Sequence, residues 1–112
     1  MKEIKASIRQ DRVADVLEAL RDSGLCNCAG NSACHNITAS RVQHPFAGTD
    51  TAQQHYAMDL AEPVVIEYKL ELLCSDDLVD TLVDVIAKAA HTGQPEPGWI
   101  LVAAIERAIK IA

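Results

Sequence analysis

The sequence predicts an α+β domain assembled from two similar halves. Two observations carry this. Near residues 2–24, and again near residues 66–93, a stretch with a period of two gives way to an acidic turn. A period close to 3.6 follows, and then a glycine. A period of two puts alternate side chains on opposite faces of a strand, and a period of 3.6 puts an apolar stripe along a helix. Two strand–helix units, each completed by one further strand, make the ferredoxin-like βαββαβ sandwich. Both helices then cover one face of an antiparallel sheet.

The elements follow in order. In residues 2–9, Ile4, Ala6 and Ile8 point one way, while Glu3, Lys5, Ser7 and Arg9 point the other. Asp11 is placed to cap the first helix, whose buried stripe is Val13, Val16, Leu17 and Leu20. Gly24 ends it. Residues 37–43 and 99–103 are the completing strands. Between them lies the most regular stretch of the chain, residues 64–93. Ile66, Tyr68, Leu70 and Leu72 alternate with Glu67, Lys69, Glu71 and Leu73. Ser75, Asp76 and Asp77 break that pattern and suit the positive end of a helix. Leu78, Leu82, Ile86 and Ala89 then form a stripe, widened by Val79, Val83 and Ala90, and Gly93 stands where a helix commonly stops.

Composition narrows the function classes. A chain of 112 residues supports one domain, residues 1–112. Only four residues are aromatic, so the core must be aliphatic. Roughly a third of the unfolded surface stays exposed at this size, which favours further burial by oligomerisation. A formal net charge of −6 argues against a nucleic-acid partner, because phosphate binding needs a basic face. There is no apolar run long enough to span a bilayer and no signal peptide. A cytoplasmic protein without membrane insertion is expected.

The strand followed by Ser75-Asp76-Asp77-Leu78-Val79-Asp80, and the helix end Ala89-Ala90-His91-Thr92-Gly93, resemble the second half of PII signal-transduction proteins. Ile105-Glu106-Arg107-Ala108-Ile109-Lys110-Ile111 is similar to the family's last strand, and Met1-Lys2-Glu3-Ile4-Lys5-Ala6 to its first. The resemblance covers most of the chain apart from residues 26–36 and 43–63. It implies a non-catalytic homotrimer with adenine nucleotide in three inter-subunit clefts. Trimerisation would cover the sheet face that the helices leave open. The aperiodic residues 43–63 take the place of the family's long mobile target-binding loop, so the partner is a target protein such as a membrane transporter or an enzyme. Tyr56 lies in that segment, as an ordinary loop tyrosine or as the family's modified one.

Carried over residue by residue, the resemblance assigns Thr38, Glu71 and Leu73 to the adenine side of the cleft. Thr92, Gly93 and Gly98 belong to the phosphate turn, and Arg107 and Lys110 to the far end. The departures are informative. His44-Pro45-Phe46 replaces the family's glycine-rich loop start, which tells against 2-oxoglutarate binding at the loop base. In the phosphate turn, Pro95 and Pro97 remove two N–H donors, Glu96 adds a negative charge, and Trp99 stands in place of a lysine. Lys110 replaces an arginine and lacks its bidentate fork, and Ala112 stands where a second arginine would follow. The stripped phosphate side favours AMP or ADP over ATP. It also resembles the carboxysome- and bicarbonate-associated branch, with bicarbonate as a second ligand.

The cysteines form a separate constellation. Cys26, Cys28 and Cys34-His35 lie in residues 26–36, while Cys74 lies far away in sequence. Three sulfurs and an imidazole suit zinc or copper(I), although the spacing is not that of a standard zinc finger. Three readings stay open: a redox-sensitive disulfide between two of these cysteines, a metal site, and inert thiols. The first two give an alternative function, a trimeric metal-binding protein resembling the CutA family or a redox sensor. Cys74 is expected to be a small buried residue. His44 and His55 read as solvated loop histidines, His91 as a helix-end charge, and Asp76, Asp77, Asp80 and Asp84 as cap and surface carboxylates.

Overall fold

In the computed structural model, which describes residues 1–26, 34–46, 54–93 and 98–112, the element order is β1 (Lys2–Arg9), α1 (Val13–Asp22), β2 (Cys34–Pro45), β3 (Gln54–Ala57), β4 (Glu62–Cys74), a 3₁₀ turn (Asp76–Leu78), α2 (Val79–Ala90) and β5 (Ile100–Ala104). The sheet order is β2-β4-β1-β5, with β3 paired to the start of β4. All pairings are antiparallel. The two halves interleave, since β1 and β4 lie side by side at the centre. This is the ferredoxin-like sandwich.

The central pair sets the core. Ile4 lies opposite Leu72, Ala6 opposite Leu70, and Lys2 opposite Cys74. Ile4, Ala6, Ile8, Leu70, Leu72 and Cys74 are all buried on one sheet face. Val16 and Leu20 of α1 and Leu82 and Ile86 of α2 close over them, with Cys26 and Cys34 in the same cluster. Both helical stripes and the alternation from Lys69 to Cys74 are as expected, but Glu67, expected on the polar face, is buried while Ile66 is only half-buried. Arg12 ties the two helices together: its Nη2 donates to the Ala89 carbonyl at 2.7 Å, and its Nη1 pairs with Asp15 at 2.9 Å.

The caps differ from expectation. Arg12, not Asp11, occupies the N-cap position of α1, and no side chain caps it. Ser75 likewise makes no side-chain cap bond. Its carbonyl accepts from the Leu78 amide at 3.1 Å, and a 3₁₀ turn leads into α2. Asp76 instead meets the Met1 α-ammonium at 2.8 Å, and that contact holds its carboxyl below the usual carboxylate range. At the other ends, Gly24 closes α1 with φ +76°, whereas α2 stops at Ala90, ahead of Gly93.

Three boundaries also move. β2 runs beyond residues 37–43 at both ends. Residues 43–63, expected as an aperiodic loop, contain the end of β2, all of β3 and the start of β4 in the described part. His55, Tyr56, Gln43 and His44 are exposed there, while Ala57 and the adjoining Val64 and Val65 are buried. The buried residues Val64 and Val65 are consecutive, so burial here does not follow a period of two. Finally, residues 105–112 form no strand. The Ile105 amide donates to the Met1 carbonyl at 3.1 Å, where the pairing of β5 with β1 ends.

Two stability outcomes follow. Leu82 is fully enclosed, so Leu82→Ala is expected to cost about 2–5 kcal/mol in urea unfolding. Because the Asp76 pKa is lowered on folding, its contribution is fully present above the ordinary carboxylate value and is lost as pH falls through the lowered folded value. Asp76→Asn is expected to flatten the acid limb of stability against pH, read as the urea midpoint in acid titration; an unchanged limb would remove the pair from the account.

Candidate functional site

The bare sheet face is built by residues that alternate with the core. Cross-strand register lines them up in rows. One row runs Thr38, Glu71, Lys5, Leu101 across β2, β4, β1 and β5, and the next runs His35, Leu73, Glu3, Ala103. Thr38, Leu101 and Ala103 are exposed, and Glu71 and Leu73 are half-buried. Thr38, Glu71 and Leu73, assigned from sequence to one binding surface, are thus immediate neighbours. A β-bulge shapes this end of β2. The register shifts between His35 and Thr38, and Asn36 has φ +54°. Asparagine is among the few residues that visit this left-handed region.

Thr92, Gly93 and Gly98 come together elsewhere. With Ser7, Ile8, Ile86, Ala90, His91 and Ile100 they line a cavity of about 250 Å³ between β1, β5 and the end of α2. Its floor residues Ala6, Ile8 and Ile86 belong to the helix-covered side. The residues that the resemblance assigns to the adenine side and to the phosphate turn therefore lie towards opposite faces of one sheet. A single chain does not join them. Residues 94–97, including Pro95, Glu96 and Pro97, are outside the described residues. Trp99, at the expected lysine position, is 74 % exposed, and its carbonyl accepts from the Ser7 amide at 3.0 Å. Arg107 and Lys110 are exposed on the irregular segment after β5.

Gly98 is held by this contact. A Cβ built on it would sit 2.5 Å from the Ser7 carbonyl oxygen. No side chain fits there without displacing β1 backbone.

The cysteine loop is assembled only in part. Cys26 and Cys34 form a disulfide with Cα atoms 5.0 Å apart. Cys28 lies outside the described residues. His35 does not join the sulfurs, because Cys34 is buried on the core face and His35 is exposed on the other. Among the described residues, no three His, Cys, Asp or Glu side chains are placed to hold a metal ion.

Register also reveals two pairings that the one-dimensional pattern hides. Cys74 is the direct cross-strand partner of Cys34. At the base of the β2–β4 ribbon, the Nδ1 of His44 meets the buried carboxylate of Glu67. His44 pairs with Val65, two residues before Glu67, so the contact is diagonal. The lone histidine and the strand glutamate were both visible in sequence; their meeting needs the register.

The model of the family described as "Nitrogen regulatory protein P-II" matches residues 1–112. The chain belongs to the P-II family. Among its curated P-II relatives, Nitrogen regulatory protein GlnK2 of Haloferax mediterranei is 32 % identical over 99 % of this chain and 83 % of its own length. Nitrogen regulatory protein P-II 2 of Methanothermobacter thermautotrophicus is 28 % identical over 99 % of this chain and 89 % of its own. Nitrogen regulatory protein GlnK of Escherichia coli K12 is 26 % identical over 99 % and 91 %. The P-II match spans the cysteine segment and the ribbon as well as the two strand–helix units. Among the described residues, no helix of this P-II chain is long and apolar enough to cross a membrane.

Gly98→Ala is expected to cost about 1–3 kcal/mol and to speed hydrogen exchange at the Ser7 amide. Gly93→Ala meets no atom within 4 Å but must hold φ +71°, so its cost is about 1–2 kcal/mol and it leaves Ser7 protected. Equal exchange at Ser7 in both variants would refute the role given to Gly98.

Proposed function

We propose that this P-II chain is a non-catalytic cytoplasmic regulator that acts as a homotrimer. It binds AMP or ADP in preference to ATP in the clefts between subunits. Occupancy orders or releases residues 43–63, which engage a transporter or an enzyme. Inorganic-carbon metabolism is the setting, with bicarbonate as a second ligand.

The observation that supports this reading is that Thr38, Glu71 and Leu73 lie towards one face of the sheet and the cavity lined by Thr92, Gly93 and Gly98 towards the other. Each half is formed by neighbouring residues, and a second copy presenting the opposite face is the simplest way to join them. The trimer supplies that copy and covers the bare face, where Leu101 is exposed in the single chain. The preference for fewer phosphates rests on the cation count. Trp99 brings no charge to the turn, Glu96 brings a negative one, and Lys110 is a point charge without a guanidinium fork. Coupling to the loop is a population shift: nucleotide moves the loop only as far as it binds one loop state better.

A second reading, redox sensing through the Cys26/Cys28/Cys34 segment, is favoured by the Cys26–Cys34 disulfide. The two readings separate cleanly in one titration series. Calorimetry of AMP, ADP and ATP against reduced, metal-free protein, with and without bicarbonate, is expected to rank ATP weakest. Loss of one charge-assisted phosphate contact corresponds to about a tenfold drop or more in affinity. Sedimentation is expected to give a trimer. Absence of binding by all three nucleotides would overturn the nucleotide reading, and equal affinity of oxidised and reduced protein would remove redox control of it.

A further inference from the structure

Three sulfurs converge in the core. Cys26 and Cys34 are each 5 % exposed and Cys74 is 0 % exposed, and all three belong to one buried cluster. Cys26 and Cys34 are bridged, and Cys74 is free. Cys34 stands directly opposite Cys74 in the β2–β4 ladder. The Cys34 amide donates to the Leu25 carbonyl at 3.3 Å, so its N–H points to the outer side of β2, away from β4. The Cys34–Cys74 pair is therefore a non-hydrogen-bonded one. Such pairs bring Cα atoms to about 4.5 Å with side chains closest, inside the range a disulfide spans. Cys26, beside Leu25, approaches Cys34 from the outer side. Cys74 approaches it from the inner side.

We propose that these cysteines form one thiol–disulfide exchange unit, with Cys34 as the shared sulfur and Cys74 as its second partner. The Cys74 thiol gives up its proton, and the thiolate attacks the Cys34 Sγ. The Cys34–Cys26 bond breaks as the Cys34–Cys74 bond forms. Cys26 leaves as a thiolate and takes up a proton. One disulfide and one thiol exist before and after, so no oxidant or reductant is consumed. Displacement at sulfur requires attack and departure on opposite sides of the central sulfur, and the chain brings Cys74 and Cys26 to Cys34 from opposite sides of β2.

The two isomers differ in what they tie. The Cys26–Cys34 bridge clamps the end of the segment after α1 to β2. The Cys34–Cys74 bridge clamps β2 to β4 and releases that segment, carrying the free thiol from the centre of the core to its boundary. Burial pushes the Cys74 thiol up, against a smaller opposing pull from the Met1 ammonium, which lowers its thiolate fraction and slows the attack. The device does not depend on the nucleotide reading.

The test uses the Cys28→Ser chain, to remove a competing thiol, with and without Cys26→Ser. The double variant is incubated with glutathione disulfide, quenched in acid, alkylated and mapped by mass spectrometry. A Cys34–Cys74-linked peptide as the main product is expected. Recovery of both residues only as thiols or glutathione adducts would overturn the proposal. If the double variant lacks a native far-ultraviolet circular dichroism spectrum, the single variant decides. Held folded at mildly alkaline pH and trapped in the same way, it is expected to show the Cys34–Cys74 peptide at about a tenth or more of the total. The Cys26–Cys34 peptide alone would overturn the proposal.

Discussion

The rest of the molecule hangs on the pairing of β1 with β4. That ladder joins the first strand of one half to the first strand of the other, and its register decides which residues share a face. Ile4, Ala6 and Ile8 meet Leu72, Leu70 and Tyr68 on the side the helices cover. A slip of one residue would drive Lys5, Lys69 and Glu71 into that core and strand the aliphatic residues in water. Fully burying one such aliphatic side chain is worth about 1.5–3 kcal/mol, so the correct register is strongly favoured. The same ladder aligns Glu71 with Lys5 and, through β2, with Thr38. Core and candidate site are two faces of one constraint.

How much of this was legible in the chain depends on whether burial along an element keeps a regular period. β1, β4 and the two helices have one buried face each, and Ile4, Leu70, Val16 and Ile86 wrote that face into the sequence at the right period. In the β2–β3–β4 ribbon the four-residue β3 buries Ala57 only, and its neighbours Val64 and Val65 are buried consecutively, so Gln54–Ala57 carried no alternation and passed for loop. The caps were misplaced for a related reason. Asp11 and Ser75 have capping chemistry, but backbone bonds and the Arg12 and Asp76 contacts settle those turns.

The site was legible as a set of residue types and illegible as a geometry. Thr38, Glu71 and Leu73 could be named because family resemblance supplies positions, and their adjacency emerged only from register. The opposite placement of Thr92, Gly93 and Gly98 could not be read from spacing at all. Cys74 shows the same limit. In sequence it is a small apolar residue forty positions from Cys34; in the sheet the two are partners. His44 and Glu67 repeat the lesson at the ribbon base.

The bulge at Asn36 has a bearing on how this chain tolerates changes of length. One additional residue on β2 between His35 and Thr38 allows both to face the open side although they are three apart. Everything after it along the strand, including Ser40, Val42 and His44, inherits that phase. An insertion or deletion before Cys34 changes only the distance from α1 to the sheet. Loss of one residue at Asn36 or Ile37 would remove the bulge and leave Thr38 opposite Glu71, with the downstream faces as they are. The bulge is therefore a place where β2 can lose a residue and keep its faces, whereas a loss between Thr38 and Pro45 would exchange the faces of the residues beyond it.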